Sequence, residues 1–231
     1  MKFGLFYEIQ VPRPAPPGAE QQRIREVIDQ VKLAEEMGFE RVWFVEHHCL
    51  TEWAHCSAPE VMLAAVSQHT TTMRLGFGVI LLPVHHPVHV AVKTATLDVL
   101  SGGRVDVGVG RSGNPYQLTP FGVQLEDTRG IWEESLSMLP NLWTQEIYSH
   151  QGKYFTVPER EIIPKPMQQP HPPLWTACSQ DDTFQRAGEL GIGCLCNVLG
   201  QYDTVERRIN IYKDALRNAQ PVGLDYQHPT A

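Results

Sequence analysis

The residues best suited to chemistry stand directly after short apolar runs. Glu46-His47-His48 follows the run at 42–45. His47 is the strongest candidate, because an imidazole titrates near neutral pH and can take, hold or give a proton. His48 must point elsewhere if the strand continues, and we expect it to pack. The alternative for His47 is a histidine hydrogen-bonded beneath a loop, and spacing alone does not decide between the two.

Two further residues have the chemistry of a phosphate site. Arg111 follows Gly108-Val109-Gly110. Glycines let the backbone approach a ligand, and a guanidinium can bind phosphate through two parallel hydrogen bonds. Ser179 stands just before a predicted helix, whose N-terminus attracts anions. The alternatives are a surface arginine paired with a carboxylate and an ordinary serine N-cap.

A group of histidines raises the question of a metal centre: His47, His48, His55, His85, His86 and His89. A metal-dependent barrel hydrolase would need several of them together with a carboxylate. No His-x-His follows the first strand, and adjacent histidines on a strand cannot easily chelate one ion. We therefore expect no metal. The five cysteines make no zinc motif and are expected to be reduced thiols.

Apolar segments with strand-like and helix-like spacing alternate along the chain. The predicted strands cover 2–8, 42–45, 74–82, 104–110, 174–178 and 192–198. The predicted helices cover 20–37, 57–70, 86–100, 128–139, 180–190 and 203–219. A capping box at Ser57 is expected to open the second helix, His86-Pro87 the third, and Pro140 should bend or stop the fourth. Residues 148–157 are expected to form a hairpin outside the repeat.

This alternation predicts an α/β fold with a parallel sheet, either doubly wound or closed as a barrel. No Gly-x-Gly-x-x-Gly follows the first strand, which disfavours a dinucleotide-binding sheet. A (β/α)8 barrel of the TIM type is therefore favoured. Only about six βα units can be counted, whereas a complete barrel typically takes about 250 residues. Residues 1–231 are expected to form a single domain.

Composition and charge exclude several classes of partner. The net charge is −7 and charged residues make up 19% of the chain, with no basic stripe, so nucleic acid is not expected as a partner. No apolar run reaches the roughly 18 residues that a membrane span needs. The N-terminal segment is too interrupted for a signal peptide. These features predict a cytoplasmic protein without membrane contact.

Five stretches resemble the bacterial luciferase-like, flavin-dependent monooxygenases, in that family's order, and the likeness covers nearly the whole chain. They are MKFGLF at the N-terminus, EEMGFERVWFVEHH at 35–48, RLGFGVILLPVHHP at 74–87, TLDVLSGGRVDVGVGRS at 96–112 and PPLWTACSQDDTFQRAGELG at 172–191. Any one of them alone would be weak, but five in order are specific.

The resemblance implies a (β/α)8 barrel that binds reduced FMN supplied by a separate flavin reductase. Such proteins use O2 to oxidise a small organic substrate through a flavin peroxide, and the cofactor carries the difficult chemistry. A deazaflavin-dependent oxidoreductase on the same barrel is a second hypothesis. A flavin-binding protein without turnover is a third. The Glu-His-His motif favours the monooxygenase.

The resemblance also assigns roles to particular residues. His47 matches the family's catalytic histidine, and Arg111 matches an arginine that contacts the flavin phosphate. Gly78-Val79 matches a position where the family often has a non-proline cis peptide against the flavin ring. The strand-5 loop beside the phosphate corresponds to Ala177, Cys178 and Ser179.

Two departures bear on the chemistry. Cys178 replaces a glutamate of the luciferase α subunit, and Gly110 replaces its reactive cysteine, so neither thiol chemistry at position 110 nor bioluminescence is expected. Loops at 10–19, 49–56 and 111–126 are expected to shape a partly apolar substrate pocket, with the side chains of Trp53, His55, Tyr116 and Phe121.

The resemblance further implies strands 7 and 8, which the six counted units lack. Strands 1 and 6 would then have unpaired edges, which are a liability for solubility. The chain is accordingly expected to be a fragment, a homodimer whose partner covers the open edge, or a protein without turnover.

Overall fold

Most of the strands form one curled, half-barrel sheet. The computed structural model describes residues 2–196 and 202–222. Within these ranges the strands are β1 (Gly4–Tyr7), β2 (Arg41–Phe44), β3 (Arg74–Leu81), β4 (Val105–Gly110), β5 (Ile147–Gln151), β6 (Thr156–Glu161), β7 (Leu174–Cys178) and β8 (Gly193–Cys196). Six of them pair in parallel in the order β1-β2-β3-β4-β7-β8. The predicted α/β fold with a parallel sheet is thus confirmed.

Helices connect successive strands of this sheet. Their bounds in the described ranges are α1 (Ala19–Glu36), α2 (Pro59–Ser67), α3 (Pro87–Ser101), α4 (Pro115–Leu118), α5 (Thr128–Thr144), α6 (Asp181–Glu189) and α7 (Tyr202–Leu216). The short α4 lies in the loop predicted at 111–126. No helix of the described ranges is both long and apolar enough to cross a membrane.

The inner strands are buried on both faces, which explains their continuous apolar runs. All six residues of β4 are buried, as are Val42, Trp43 and Phe44 of β2. One hydrophobic cluster joins these strands to the apolar faces of the helices. This core holds the strand ends in a fixed position.

A bulge in β3 shapes the centre of the sheet. Phe77 lies opposite Val107 and Ile80 opposite Val109, so β3 has one more residue than β4 in this interval. A Cβ atom on Gly108 would come within 2.1 Å of the Phe77 carbonyl oxygen. Gly108 is therefore required at this position, because the bulged strand β3 approaches β4 too closely for a side chain.

The ends of two helices show where local signals hold and where packing overrides them. The predicted start of α3 is confirmed, because the His86 imidazole accepts a hydrogen bond from Val88 N–H and Pro87 is the first helical residue. The sequence predicts that Pro140 bends or stops this helix, and the helix does not stop there, since α5 continues to Thr144. Its last turn is held against α3 by the buried Trp143, whose Nε1–H donates to the Ala91 carbonyl at 3.1 Å.

Two predicted serine caps are also wrong. Ser57 does not cap α2, which begins at Pro59 without a side-chain cap, because its hydroxyl donates to the His47 carbonyl instead. Ser179 precedes the N-cap of α6, which is Gln180. There the Thr183 hydroxyl accepts from the backbone N–H groups of Ser179 and Gln180.

The hairpin and the sheet edges agree with expectation where they are described. β5 and β6 pair antiparallel outside the main sheet. Within the described ranges β1 and β8, the first and sixth strands of the sheet, form its two edges, as predicted. The last part of the predicted strand at 192–198 lies outside the described residues.

Candidate active site

The carboxyl ends of β2, β3, β4 and β7 meet at one rim of the sheet, because these parallel strands are neighbours in that order. Barrel enzymes place their reactive groups at this rim. His47 lies just beyond β2, while Arg111 and Ser179 directly follow β4 and β7. Adjacent strands lie about 4.8 Å apart, so the fold brings residues from distant segments to one edge.

His47 is held at both its backbone and its side chain. Its N–H donates to the Cys56 carbonyl at 3.0 Å, and its carbonyl accepts from the Ser57 hydroxyl at 2.7 Å. The ring nitrogen Nδ1 lies 3.0 Å from Oε1 of Gln117. In the described part of the chain, Nε2 makes no hydrogen bond. The ring is thus anchored on one side with a nitrogen left for a ligand.

The residue that precedes His47 in the sequence is a buried carboxylate. Glu46 is 2% exposed and accepts hydrogen bonds from His48 Nε2 at 2.7 Å, His85 Nε2 at 2.6 Å and Leu81 N–H at 2.8 Å. Burial alone would raise the pKa of Glu46, but these bonds and the charge of His85 outweigh burial and lower the pKa to about 2. Glu46 therefore fixes the ends of β2 and β3 relative to each other.

A cavity of about 330 Å³ opens between the ends of β4 and β7. Its walls combine small residues with hydroxyl and guanidinium groups, among them Gly110, Arg111, Ala177, Ser179, Thr183 and Arg186. The N-terminus of α6 borders it and favours an anion through the helix dipole, but the N–H groups of Ser179 and Gln180 already donate to the Thr183 hydroxyl. The guanidinium of Arg111 and the hydroxyl of Ser179 are the donors best placed for an anion in this cavity.

The charged side chains that line the cavity differ in whether they have an ion-pair partner. Arg129 pairs with Glu133 at 3.3 Å, and Arg186 pairs with a glutamate one turn along its helix at 3.4 Å. Arg111 makes no ion pair with any described residue and donates only a long 3.4 Å bond to the Thr128 hydroxyl. Asp182 also lines the cavity and works against an anion there. Arg111 is thus the guanidinium most free to bind a phosphate.

Three residues of the β7 end take different positions. The Ala177 side chain is exposed and lines the cavity together with Ser179. Cys178 is 3% exposed and points into the core, where its sulfur lies 3.4 Å from that of Cys194. Both cysteines are free thiols. Any contact between Cys178 and a ligand in the cavity would be made by its backbone.

Gly78 and Val79 occupy the bulge of β3 between the His47 end and the cavity. The peptide bond between them is cis, as the resemblance implied. A Cβ on Gly78 would lie 3.2 Å from the Trp43 side chain, and Val79 Cγ2 would lie 2.5 Å from a Cβ on Gly110. Because β3 lies between β2 and β4 in the sheet, the bulge lies between the strand that leads to His47 and the strand that leads to Arg111.

The loop side chains predicted to shape a substrate pocket are only partly gathered. Phe121 packs edge-on against His48, with ring centroids 4.7 Å apart. Trp53 and Tyr116 are exposed, and His55 forms a hydrogen bond with Glu20, whose Oε1 lies 2.9 Å from His55 Nδ1. In residues 2–196 and 202–222 no group of three His, Cys, Asp or Glu side chains could hold a metal ion.

Sequence reasoning assigned no role to Glu46 or Gln117 beside His47, or to Arg129 in the cavity. Glu46 could have been found, because a charge at the end of an apolar strand is an unusual sign. Gln117 carries no such signal, since it lies in a loop without periodicity. Arg129 lies on the exposed face of α5, and only the fold brings it to Arg111.

Comparison with known proteins gives consistent likenesses. The chain is 28% identical over 200 residues to the oxygenase component of the flavin-dependent trigonelline monooxygenase of Acinetobacter baylyi, covering 86% of this chain and 53% of that protein. The chain spans about half the length of the curated relatives it matches, from 48% to 60% for three of them.

Solved structures share the fold. The monooxygenase RslO1 of Streptomyces bottropensis superposes with a TM-score of 0.87 at 29% identity, covering 96% of this chain and 68% of that one. The FMN-bound oxygenating constituent of 3,6-diketocamphane monooxygenase of Pseudomonas putida has a TM-score of 0.84 at 21% identity, covering 96% and 64%. The coenzyme F420-dependent tetrahydromethanopterin reductase of Methanopyrus kandleri has a TM-score of 0.75 at 19% identity, covering 95% and 62%.

The family model for luciferase-like monooxygenases matches residues 1–226, nearly the whole chain and every element of the rim described above. The resemblance carried by the five sequence stretches is therefore confirmed, and this chain belongs to the luciferase-like monooxygenase family.

Proposed function

We propose that this protein is an FMN-dependent monooxygenase that oxidises a small organic substrate with O2. The observation that carries the proposal is Arg111, a guanidinium without an ion-pair partner among the described residues, in a cavity on the same rim as His47. Family membership and the flavin-dependent relative support it. Reduced FMN would supply the electrons with which O2 is activated.

The cavity between β4 and β7 fits the phosphate end of FMN. Its volume of about 330 Å³ lies at the lower end of the roughly 300–1,000 Å³ of ligand pockets, which leaves room for the phosphate end of the cofactor. Arg111 would donate two parallel hydrogen bonds to the phosphate, and Ser179 would donate a third. Gly110 and Ala177 lack bulk, which allows the ribityl chain to leave the cavity along the rim.

The spacing of the rim matches the reach of this cofactor. The cavity lies between β4 and β7, and β2 is two to three strands away, about 10–14 Å at the usual spacing. The flavin ring would cross this interval over Gly78 and Val79 and bring its reactive edge toward His47. His47 would hold or transfer a proton at Nε2 during substrate oxidation.

The half-barrel sheet supports a further part of the proposal. We propose that the six strands belong to a (β/α)8 barrel, because a curled sheet of parallel strands joined by helices is the arrangement found in such a barrel. By analogy with the relative named as an oxygenase component, a separate reductase would supply the reduced flavin. We also propose a homodimer, whose partner would cover the sheet edges at β1 and β8 wherever no further strand of the barrel pairs with them.

A deazaflavin-dependent oxidoreductase is the second candidate, since an F420-dependent reductase has the same fold. Titration of the chain with FMN, riboflavin and coenzyme F420 distinguishes the candidates. Saturable binding that prefers FMN over riboflavin supports the proposal. Preference for F420 would replace it by the second candidate, and FMN binding without O2-dependent turnover of any tested aldehyde or ketone would leave a flavin-binding protein.

A further inference from the structure

The chemical role of His47 depends on which ring nitrogen carries the proton. A neutral imidazole has one N–H donor and one acceptor nitrogen, and its hydrogen-bond partner selects between them. The partner of Nδ1 is a side-chain amide, Gln117, at 3.0 Å. An amide presents either an acceptor oxygen or a donor nitrogen, so its orientation decides the tautomer of the histidine.

A neighbouring backbone group fixes this orientation. The N–H of His48 points to the same Gln117 atom at 3.1 Å. A backbone N–H can only donate, so the atom that it reaches must be the acceptor oxygen Oε1. A flipped amide would set the NH2 group against the His48 N–H and leave two donors facing each other. The oxygen therefore faces both histidines.

The consequence for His47 follows directly. Because Oε1 can only accept, Nδ1 must donate, and the neutral ring is protonated at Nδ1. The lone pair is then on Nε2, the nitrogen that makes no hydrogen bond within the described ranges. Gln117 is 4% exposed and precedes the fully buried Leu118 in α4, so its amide is held in place.

We propose that Gln117 is a positioning residue that fixes His47 as the Nδ1–H tautomer and presents Nε2 to the substrate as a proton acceptor. The use of Nε2 in catalysis rests on the proposed function, whereas the tautomer does not. The neutral amide orients the ring without a full negative charge beside it, unlike the carboxylate that holds the histidine of a serine-protease triad. The charged Glu46 is directed instead to His48 and His85.

The tautomer can be measured without any flavin. Long-range ¹H–¹⁵N spectra of the ¹⁵N-labelled full chain distinguish a protonated Nδ1 from a protonated Nε2 in a neutral imidazole. The His47 signal is assigned by its loss in His47→Gln. We expect the Nδ1-protonated pattern in the wild-type chain. An Nε2-protonated pattern there would overturn the proposal.

Variants at position 117 test whether Gln117 sets the tautomer of His47. Gln117→Met keeps the side-chain length but removes the acceptor, and the Nδ1–H pattern should fall from dominant to minor. Gln117→Glu keeps an acceptor and should retain the pattern. Gln124→Met, in the same loop and exposed, is the matched control and should change nothing. An unchanged Nδ1–H pattern in Gln117→Met would overturn the assignment.

If Gln117→Met does not fold, the wild-type and Gln117→Glu spectra still decide the tautomer.

Two outcomes separate this inference from the proposed function. If the chain shows the Nδ1–H pattern but binds no FMN, the proposed function fails and the positioning role of Gln117 stands. If FMN binds and the wild-type ring is protonated at Nε2, the reverse holds.

Discussion

Replacement of Arg111 by alanine tests the phosphate site most simply. Arg111 lines the cavity between β4 and β7 and makes no ion pair among the described residues, so its removal leaves no carboxylate without its partner. The side chain is exposed, and the one hydrogen bond that it makes in the described part of the chain, to Thr128, is long at 3.4 Å. We therefore expect the free energy of unfolding to change by no more than about 0.5 kcal/mol.

The effect on FMN should be much larger. A hydrogen bond to a charged group is worth about 1.5–3 kcal/mol. Since about 1.4 kcal/mol corresponds to a tenfold change in affinity, FMN should bind roughly 10- to 150-fold more weakly to Arg111→Ala. Riboflavin lacks the phosphate, and its affinity should remain within about twofold of the wild-type value, a difference of only about 0.4 kcal/mol.

Fluorescence titration with both flavins measures this difference. Arg25→Ala, an exposed arginine on the outer surface of α1, is the matched control and should leave both affinities unchanged. Equal losses for FMN and riboflavin in Arg111→Ala would refute the assignment of the phosphate to this cavity. Unchanged FMN binding would refute it as well.

Three further predictions follow from the rim and the sheet. His47→Ala should slow substrate oxidation by about 10²- to 10⁴-fold while the Kd for FMN stays the same, as turnover and titration on one preparation would show. Glu46→Gln should lower the free energy of unfolding by about 3 kcal/mol at neutral pH. Because the folded pKa of Glu46 is lowered from 4.5 to about 2, its stabilisation is fully present above pH 4.5, and urea unfolding should show the difference from wild type shrinking as pH falls toward 2. Gly108→Ala should cost about 1–3 kcal/mol in thermal unfolding, because its Cβ meets the Phe77 carbonyl, whereas Gly113→Ala, with nothing within 4 Å, should be neutral.

The fold could be predicted from local patterns except where distant residues decide. The apolar runs of β2 and β4 and the His86-Pro87 helix start carry their own signals. The end of α5 could not be predicted from Pro140, because the local sequence does not show the packing of Trp143 against α3. The bulge of β3 is possible only because Gly108 in the neighbouring strand β4 has no side chain, and no pattern within β3 itself indicates this.

The candidate site could be predicted in part. Strand ends pointed to His47 and Arg111, which the fold brings to one rim. Side chains alternate along a strand, so Ala177 and Cys178 could not both face the cavity, and this rule alone would have separated them. Gln117 could not be found, because its role arises from a loop folding back on His47 over 70 residues of sequence.

We propose that one rim binds FMN, with its phosphate between β4 and β7 and its ring directed toward His47. A crystal structure of the chain with FMN would show both positions at once. We expect phosphate oxygens within hydrogen-bond distance of Arg111 and Ser179, and the flavin ring against Gly78 and Val79 with His47 Nε2 facing its reactive edge. A phosphate bound elsewhere, or a ring lying away from His47, would refute the proposed binding mode.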